Sequence, residues 1–174
     1  MKNPIQLIIA VLILTAALSA CSMKSEEDAI ADALAITEDT FKSETAAEAN
    51  FEHYGESFYL PDKLEVESKD KSNLVLTDGD QTYIIFYNKN EGALSELNFN
   101  AVQNSNALLL ESFNDGEKFG YVSVLPDEGE GYQLQIGIGG AKITTYTDKG
   151  KMDDDAKELM KIAKSIAAEA TEES

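Results

Sequence analysis

One imidazole and one thiol, His53 and Cys21, are the only side chains of their kinds in a chain that carries 32 carboxylates. His53 stands in "FEHYGE", where Glu52 and Glu56 could orient it as a general base, since its ordinary pKa lies near neutrality. Such a base needs a nucleophile or a metal to act on, and the sequence holds neither a GxSxG elbow nor an HExxH pair. The carboxylates gather as "DGD" (Asp78 to Asp80), "NDGE" (Asn114 to Glu117), "DEGE" (Asp127 to Glu130) and "DDD" (Asp153 to Asp155). These are hard oxygen donors of the kind calcium takes in sets of six to eight. None has the alternating twelve-residue spacing of a calcium loop, and each is explained as a turn or a helix start. "GIGG" at Gly137 to Gly140 lacks the Lys-Ser or Lys-Thr of a phosphate loop; glycines in a strand region mark bulges or tight bends. The expectation is no catalytic residue, no cofactor and no metal.

The thiol is better placed. Cys21 closes "LSAC", after an apolar run from Ile5 to Leu18 that follows a single Lys2. This core is shorter than the roughly 20 apolar residues of a spanning helix and ends on small residues, as a secretory signal does. Pro4 does not break such a helix, because the first turn has no partner for the missing N–H. The order of a branched apolar residue, two small residues and a cysteine resembles the lipobox of bacterial lipoproteins. The resemblance implies that Leu18, Ser19 and Ala20 are the signal-recognition positions and that Cys21 receives the lipid and becomes the mature amino terminus. An ordinary secretory signal or a single-span anchor with an incidental cysteine is the alternative. With two or more acyl chains the anchoring would be firm. The expected layout is a lipoprotein signal peptide at 1–20, a lipidated anchor and flexible linker at 21–28, and one domain at 29–170. The expected location is the cell membrane, facing the extracytoplasmic side.

Charge excludes one class of partner. The 14 basic residues are all lysines, against 32 acids, for a net charge of -18. Cleavage before Cys21 would remove Lys2 alone, leaving 13 minus 32, or -19. A nucleic-acid surface needs a basic footprint, so no nucleic acid is expected. The same field opposes anionic lipid heads, and the domain is expected to stand off the membrane on its tether. A lone cysteine forms no intramolecular disulfide, and Cys21 with His53 cannot make a Cys/His zinc site.

The elements that must carry these residues are read from periodicity. Ile30, Ala33, Leu34, Thr37 and Phe41 fall at helical spacing, with Phe51 and Tyr54 continuing less regularly past a break near Ser43 to Thr45. Ser25, three residues before Asp28, is a capping arrangement. "KLEVES", "SNLVLT", "QTYIIFYN", "KFGYVSVL", "YQLQIGIG" and "AKITTYT" are runs of Val, Ile, Tyr, Phe and Thr between turn signals, and so antiparallel strands. Asp78-Gly79 marks a hairpin. Residues 92–107 stay open between helix and loop: Leu94, Leu97 and Val102 could line a short helix, and Leu108 to Phe113 reads as a strand. At the end, Leu159, Ile162, Ala163 and Ile166 form one apolar stripe, with Lys157, Lys161 and Lys164 assigned to solvent. Asp153 to Asp155 favour the positive end of that helix. Tyr83, Phe86, Tyr87, Phe119, Tyr121 and Tyr132 are assigned to core packing rather than to a ligand face.

The predicted class is α+β, an antiparallel meander flanked by an N-terminal and a C-terminal helix. "FYLPDKLEVES" and the closing "LMKIAKSI" resemble, in pattern, the PsbP and Mog1 group of small α+β sandwiches, which implies a fold and transfers no functional residue. The functional expectation is a membrane-anchored, non-enzymatic binding or accessory protein of the cell envelope. Its partners would be the membrane, through Cys21, and another envelope protein or a small ligand. A small envelope hydrolase is the alternative.

Overall fold

The computed structural model describes residues 24–103, 106–129 and 131–172. Leu18, Ser19, Ala20 and Cys21 therefore lie outside the described residues. Helix α1 (Glu26–Lys42) starts on Ser25, whose hydroxyl oxygen accepts the Asp28 N–H at 3.1 Å. Glu26, Glu27 and Asp28, expected in the spacer, are thus its first turn. Its buried stripe is Ala29, Ala33, Thr37 and Phe41, with Ile30 and Leu34 partly buried beside it.

The helix stops at Lys42, and the expected irregular continuation through Phe51 and Tyr54 is instead a hairpin. Strands β1 (Phe51–His53) and β2 (Glu56–Phe58) pair around a two-residue turn, Tyr54-Gly55, with φ of 50° and 90°. Two successive positive φ values suit a tight hairpin, and Gly55 accepts its conformation without the strain a side chain would meet there. The sequence hid this hairpin because its strands are three residues each, too short for a period-two pattern to register.

Strands β3 (Glu65–Lys69), β4 (Asn73–Asp78), β5 (Gln81–Tyr87), β6 (Leu109–Asn114), β7 (Phe119–Pro126), β8 (Tyr132–Ile138) and β9 (Ala141–Thr147) form a seven-stranded sheet, ordered β3-β4-β5-β9-β8-β7-β6 and antiparallel at every pairing. The predicted single meander is two. β3 to β5 is one, β6 to β9 returns from the opposite edge, and β5 meets β9 in the middle. The crossing between them carries the short helix α2 (Leu97–Val102), none of whose residues is buried. In the β4–β5 hairpin Asp78 pairs with Gln81, so the turn is Gly79-Asp80, with Gly79 at φ 59°.

Both long helices cover one face of the sheet. Helix α3 (Met152–Glu172) packs on β8 and β9, and α1 lies beside it, reaching β6 and β7. Cross-strand rows Leu76–Tyr83–Thr145–Leu134–Val124 and Leu74–Ile85–Ile143–Ile136–Val122 supply the sheet side of this core. Met152, Leu159, Met160, Ile162, Ala163 and Ile166 supply the helix side, and all are buried. The two helices run parallel. Lys24, at the head of α1, pairs with Asp153 at the head of α3 at 3.0 Å, and Lys164 reaches the tail of α1.

Lys164 corrects the sequence reading. It is buried, not solvent-facing, and its ammonium donates to Thr40 O (2.9 Å), Ser43 O (2.6 Å) and Ser43 Oγ (2.6 Å). The unpaired carbonyls and negative dipole end of a helix favour a cation there. Burial and the neighbouring Lys118 oppose it, holding the Lys164 pKa below that of an ordinary lysine.

Candidate functional site

His53 ends β1 and faces Glu56 across the hairpin. The ring is buried among Phe51 (6.4 Å between centroids), Tyr54 (4.9 Å) and Phe58 (6.5 Å). Neither ring nitrogen has a hydrogen-bond partner among the described residues. Glu56, also buried, turns to the Lys89 ammonium, which in addition donates to Tyr54 O at 3.2 Å. The ion pair thus draws away the carboxylate that the sequence offered as an orienting group. Desolvation lowers the His53 pKa from 6.5; the backbone of Asp70 pulls the other way without reaching hydrogen-bond geometry, and Lys69 and Lys89 add to the lowering. A general base must reach the proton it takes, directly or through one water, and among the described residues no hydroxyl bonds to this ring. The one Ser-x-x-Lys spacing, Ser68 to Lys71, leaves strand β3 for a turn. That motif needs its serine and lysine brought together at one site, and a strand running into a turn gives neither group a helical turn on which to meet.

The acidic clusters divide by place. Asp78, Asp80, Asp127 and Asp153 to Asp155 lie at the sheet end where α1 and α3 begin, while Asn114 to Glu117 lies at the opposite end. Among the described residues no group of three or more His, Cys, Asp or Glu side chains is arranged to hold a metal ion. Asp155 departs from its neighbours. It is buried and accepts from Thr147 Oγ1 (2.6 Å), Gln81 Nε2 (2.9 Å) and Tyr83 Oη (3.3 Å). Burial first, then this carboxylate, pushes the Tyr83 phenol well above its ordinary pKa. Asp155 ties the first turn of α3 to β5 and β9, a role that its position in "DDD" does not reveal.

The glycines of "GIGG" are packing residues. A Cβ on Gly137 would stand 2.5 Å from the Tyr121 ring, and one on Gly140 would stand 2.4 Å from Asn88 O. Tyr83, Phe119, Tyr121 and Tyr132 are buried, and Phe99 of α2 meets Phe119 edge-on and Tyr121 at a tilt, with centroids 5.4 and 5.9 Å away. The segment 88–103 thereby covers the β7–β8 part of the sheet face that the long helices leave bare.

The β4–β5–β9 part of that face stays open. Ile84 is 43% exposed and Tyr146 54%, with Val75, Phe86 and Thr144 around them and the Lys142 ammonium 5.3 Å from the Phe86 ring centroid. Alternation along each strand sends these side chains away from the helices. A groove of about 410 Å³ also runs between residues 43–47 and α3, lined by Ala46, Ala47, Lys157, Lys161 and Lys164 among others. Its ammonium groups are mostly engaged: Lys161 pairs with Glu158 at 2.7 Å, and Lys164 caps α1.

No family model matches the chain, and no curated protein matches it. No helix among the described residues is long and apolar enough to cross a membrane.

Proposed function

We propose that this chain is a lipid-anchored extracytoplasmic protein of the bacterial cell envelope that works by binding rather than by catalysis. The observation that carries the reading is "LSAC" at residues 18–21 behind a short apolar core, with Cys21 the only thiol available for a lipid. Leu18, Ser19 and Ala20 are the recognition positions, and the diacylated Cys21 holds the domain to the membrane with the firmness that two or more acyl chains give. The binding reading is supported by what surrounds His53: aromatic rings and an ion pair made without it, in place of a nucleophile. The uncovered β4–β5–β9 face around Ile84 and Tyr146 is the proposed docking surface. Its occupant is another envelope protein with a positively charged rim, because a net charge of about -19 on the mature chain, counted above, repels acidic partners and a second copy alike.

Fractionation of Cys21→Ser beside wild type tests the anchor. Loss of membrane retention or accumulation of unprocessed precursor is expected, and unchanged mature size with unchanged retention overturns the reading. Docking is tested by co-purification from solubilised membranes. A partner that accompanies wild type and is lost with Ile84→Glu supports this face; one retained equally by both overturns it.

A further inference from the structure

The distance between the proposed anchor and the first fixed residue is very short. Lys24 is already part of the fold: its ammonium pairs with Asp32 at 2.9 Å and Asp153 at 3.0 Å. Two residues on, the Glu26 carboxylate accepts from the Tyr132 hydroxyl at 2.8 Å. Three residue steps separate Cys21 from Lys24, and at full extension they span only about 11 Å. Helix α1, with 17 residues, is about 25 Å long at 1.5 Å per residue. With Cys21 lipidated, the tether would be less than half as long as the helix it leads into, which leaves little room for the stand-off expected from the sequence.

We infer that the end of the domain where α1 and α3 begin is held against the lipid headgroups, and that the Tyr54-Gly55 hairpin tip with His53 points away from the membrane. This rests on the proposed lipidation of Cys21; the tether length, not the charge of the surface, carries it. The strands run between these two ends. The turns Gly79-Asp80 and Asp127 to Gly129 share the anchored end with Asp153, since Asp155 of α3 bonds to Gln81 at the β4–β5 turn and Tyr132 at the β7–β8 turn bonds to Glu26. The opposite end carries the β6–β7 turn at Glu117, the β3–β4 turn at Lys71 and the hairpin tip, which Lys89 holds through Tyr54 O. The surface facing the membrane is therefore acidic. Its partner is the headgroup layer of a lipid bilayer, at a separation close to the ~8–10 Å over which salt screens their mutual repulsion. Orientation then places the β4–β5–β9 face upright beside the membrane, open to a neighbouring envelope protein.

The test uses the full lipidated chain in phosphatidylcholine vesicles. Lipidation of Cys21 consumes its thiol, so one introduced cysteine is the sole labelling position. Asp80→Cys and Glu128→Cys report the anchored end, Lys71→Cys and Glu117→Cys the far end; all four residues are exposed. A fluorophore at the first pair is expected to be quenched several-fold more by headgroup spin-labelled lipid than one at the second. Inserting ten Gly/Ser residues between Ser22 and Met23 is expected to erase most of that contrast. Equal or reversed quenching in protein that floats with the vesicles overturns the inference, as does contrast that survives the insertion. Protein that does not float with the vesicles overturns the lipid-anchor reading itself, and with it this inference, a result distinct from the others.

Discussion

Replacing Asp155 with alanine tests how α3 is fastened to the sheet. Three donors converge on its carboxylate: Thr147 Oγ1 at 2.6 Å, Gln81 Nε2 at 2.9 Å and Tyr83 Oη at 3.3 Å. Leaving a buried donor unpaired costs about 1–3 kcal/mol. Tyr83 is 2% exposed, and its hydroxyl has no second acceptor among the described bonds, so it bears such a cost in full. Thr147 can turn to Asp148 O at 3.4 Å, a poor bond, and Gln81 keeps Thr145 Oγ1 at 3.2 Å. These two add about 1 kcal/mol together at the low end of the same range. Asp155→Ala should therefore lower stability by about 2–4 kcal/mol, a large part of the ~5–15 kcal/mol typical of a domain. Asp154 is exposed one position earlier; Asp154→Ala removes only its interaction with the helix dipole, about 0.3–1 kcal/mol. Urea unfolding of the soluble chain from Ser22 measures both. Spectrophotometric titration supplies an independent sign: without the carboxylate, the Tyr83 phenol should titrate at lower pH than in wild type, since Asp155 helps to raise it. A stability loss in Asp155→Ala no larger than that in Asp154→Ala, with the tyrosine titration unchanged, would refute the argument.

Ile162, fully buried on the sheet-facing stripe of α3, should cost about 2–5 kcal/mol when truncated to alanine, and a thermal melt that barely moves would mean that the helix does not hold the core. His53 predicts a pH dependence: its folded pKa lies below the unfolded 6.5, so the unfolded chain binds the extra proton. That contribution to stability is complete above about pH 6.5 and is lost as pH falls toward the folded value, by at most about 1.4 kcal/mol per pH unit for one proton. The difference in stability between wild type and His53→Phe, followed from pH 7.5 to 5, should show this slope, and a pH-independent difference would contradict it.

The legibility of this protein follows the length over which each interaction acts. Helix α1 with its Ser25 cap, the stripe of α3 and the seven recognised strand runs, Leu108 to Phe113 among them, depend on neighbours within one or two turns or along one strand, so spacing alone discloses them. The α+β class follows from these. The order of the strands does not, because two meanders joined at β5 and β9 present the same local pattern as one. The β1–β2 hairpin was invisible for a related reason: with three residues per strand, its pairing rests on two positive φ values and on packing against α3. The proposed anchor at Cys21 rests on the sequence alone, because a processing signal is read as a linear peptide. Charged residues were the least legible. Lys157, Lys161 and Lys164 look alike on a helical face, as do Asp153, Asp154 and Asp155 in one turn. Only the approach of the α1 carbonyls to Lys164, and of Thr147, Gln81 and Tyr83 to Asp155, decided which of them are buried. A side chain can leave water only where distant segments bring it partners, and those partners, up to 124 residues away, exist as neighbours only once the chain has folded.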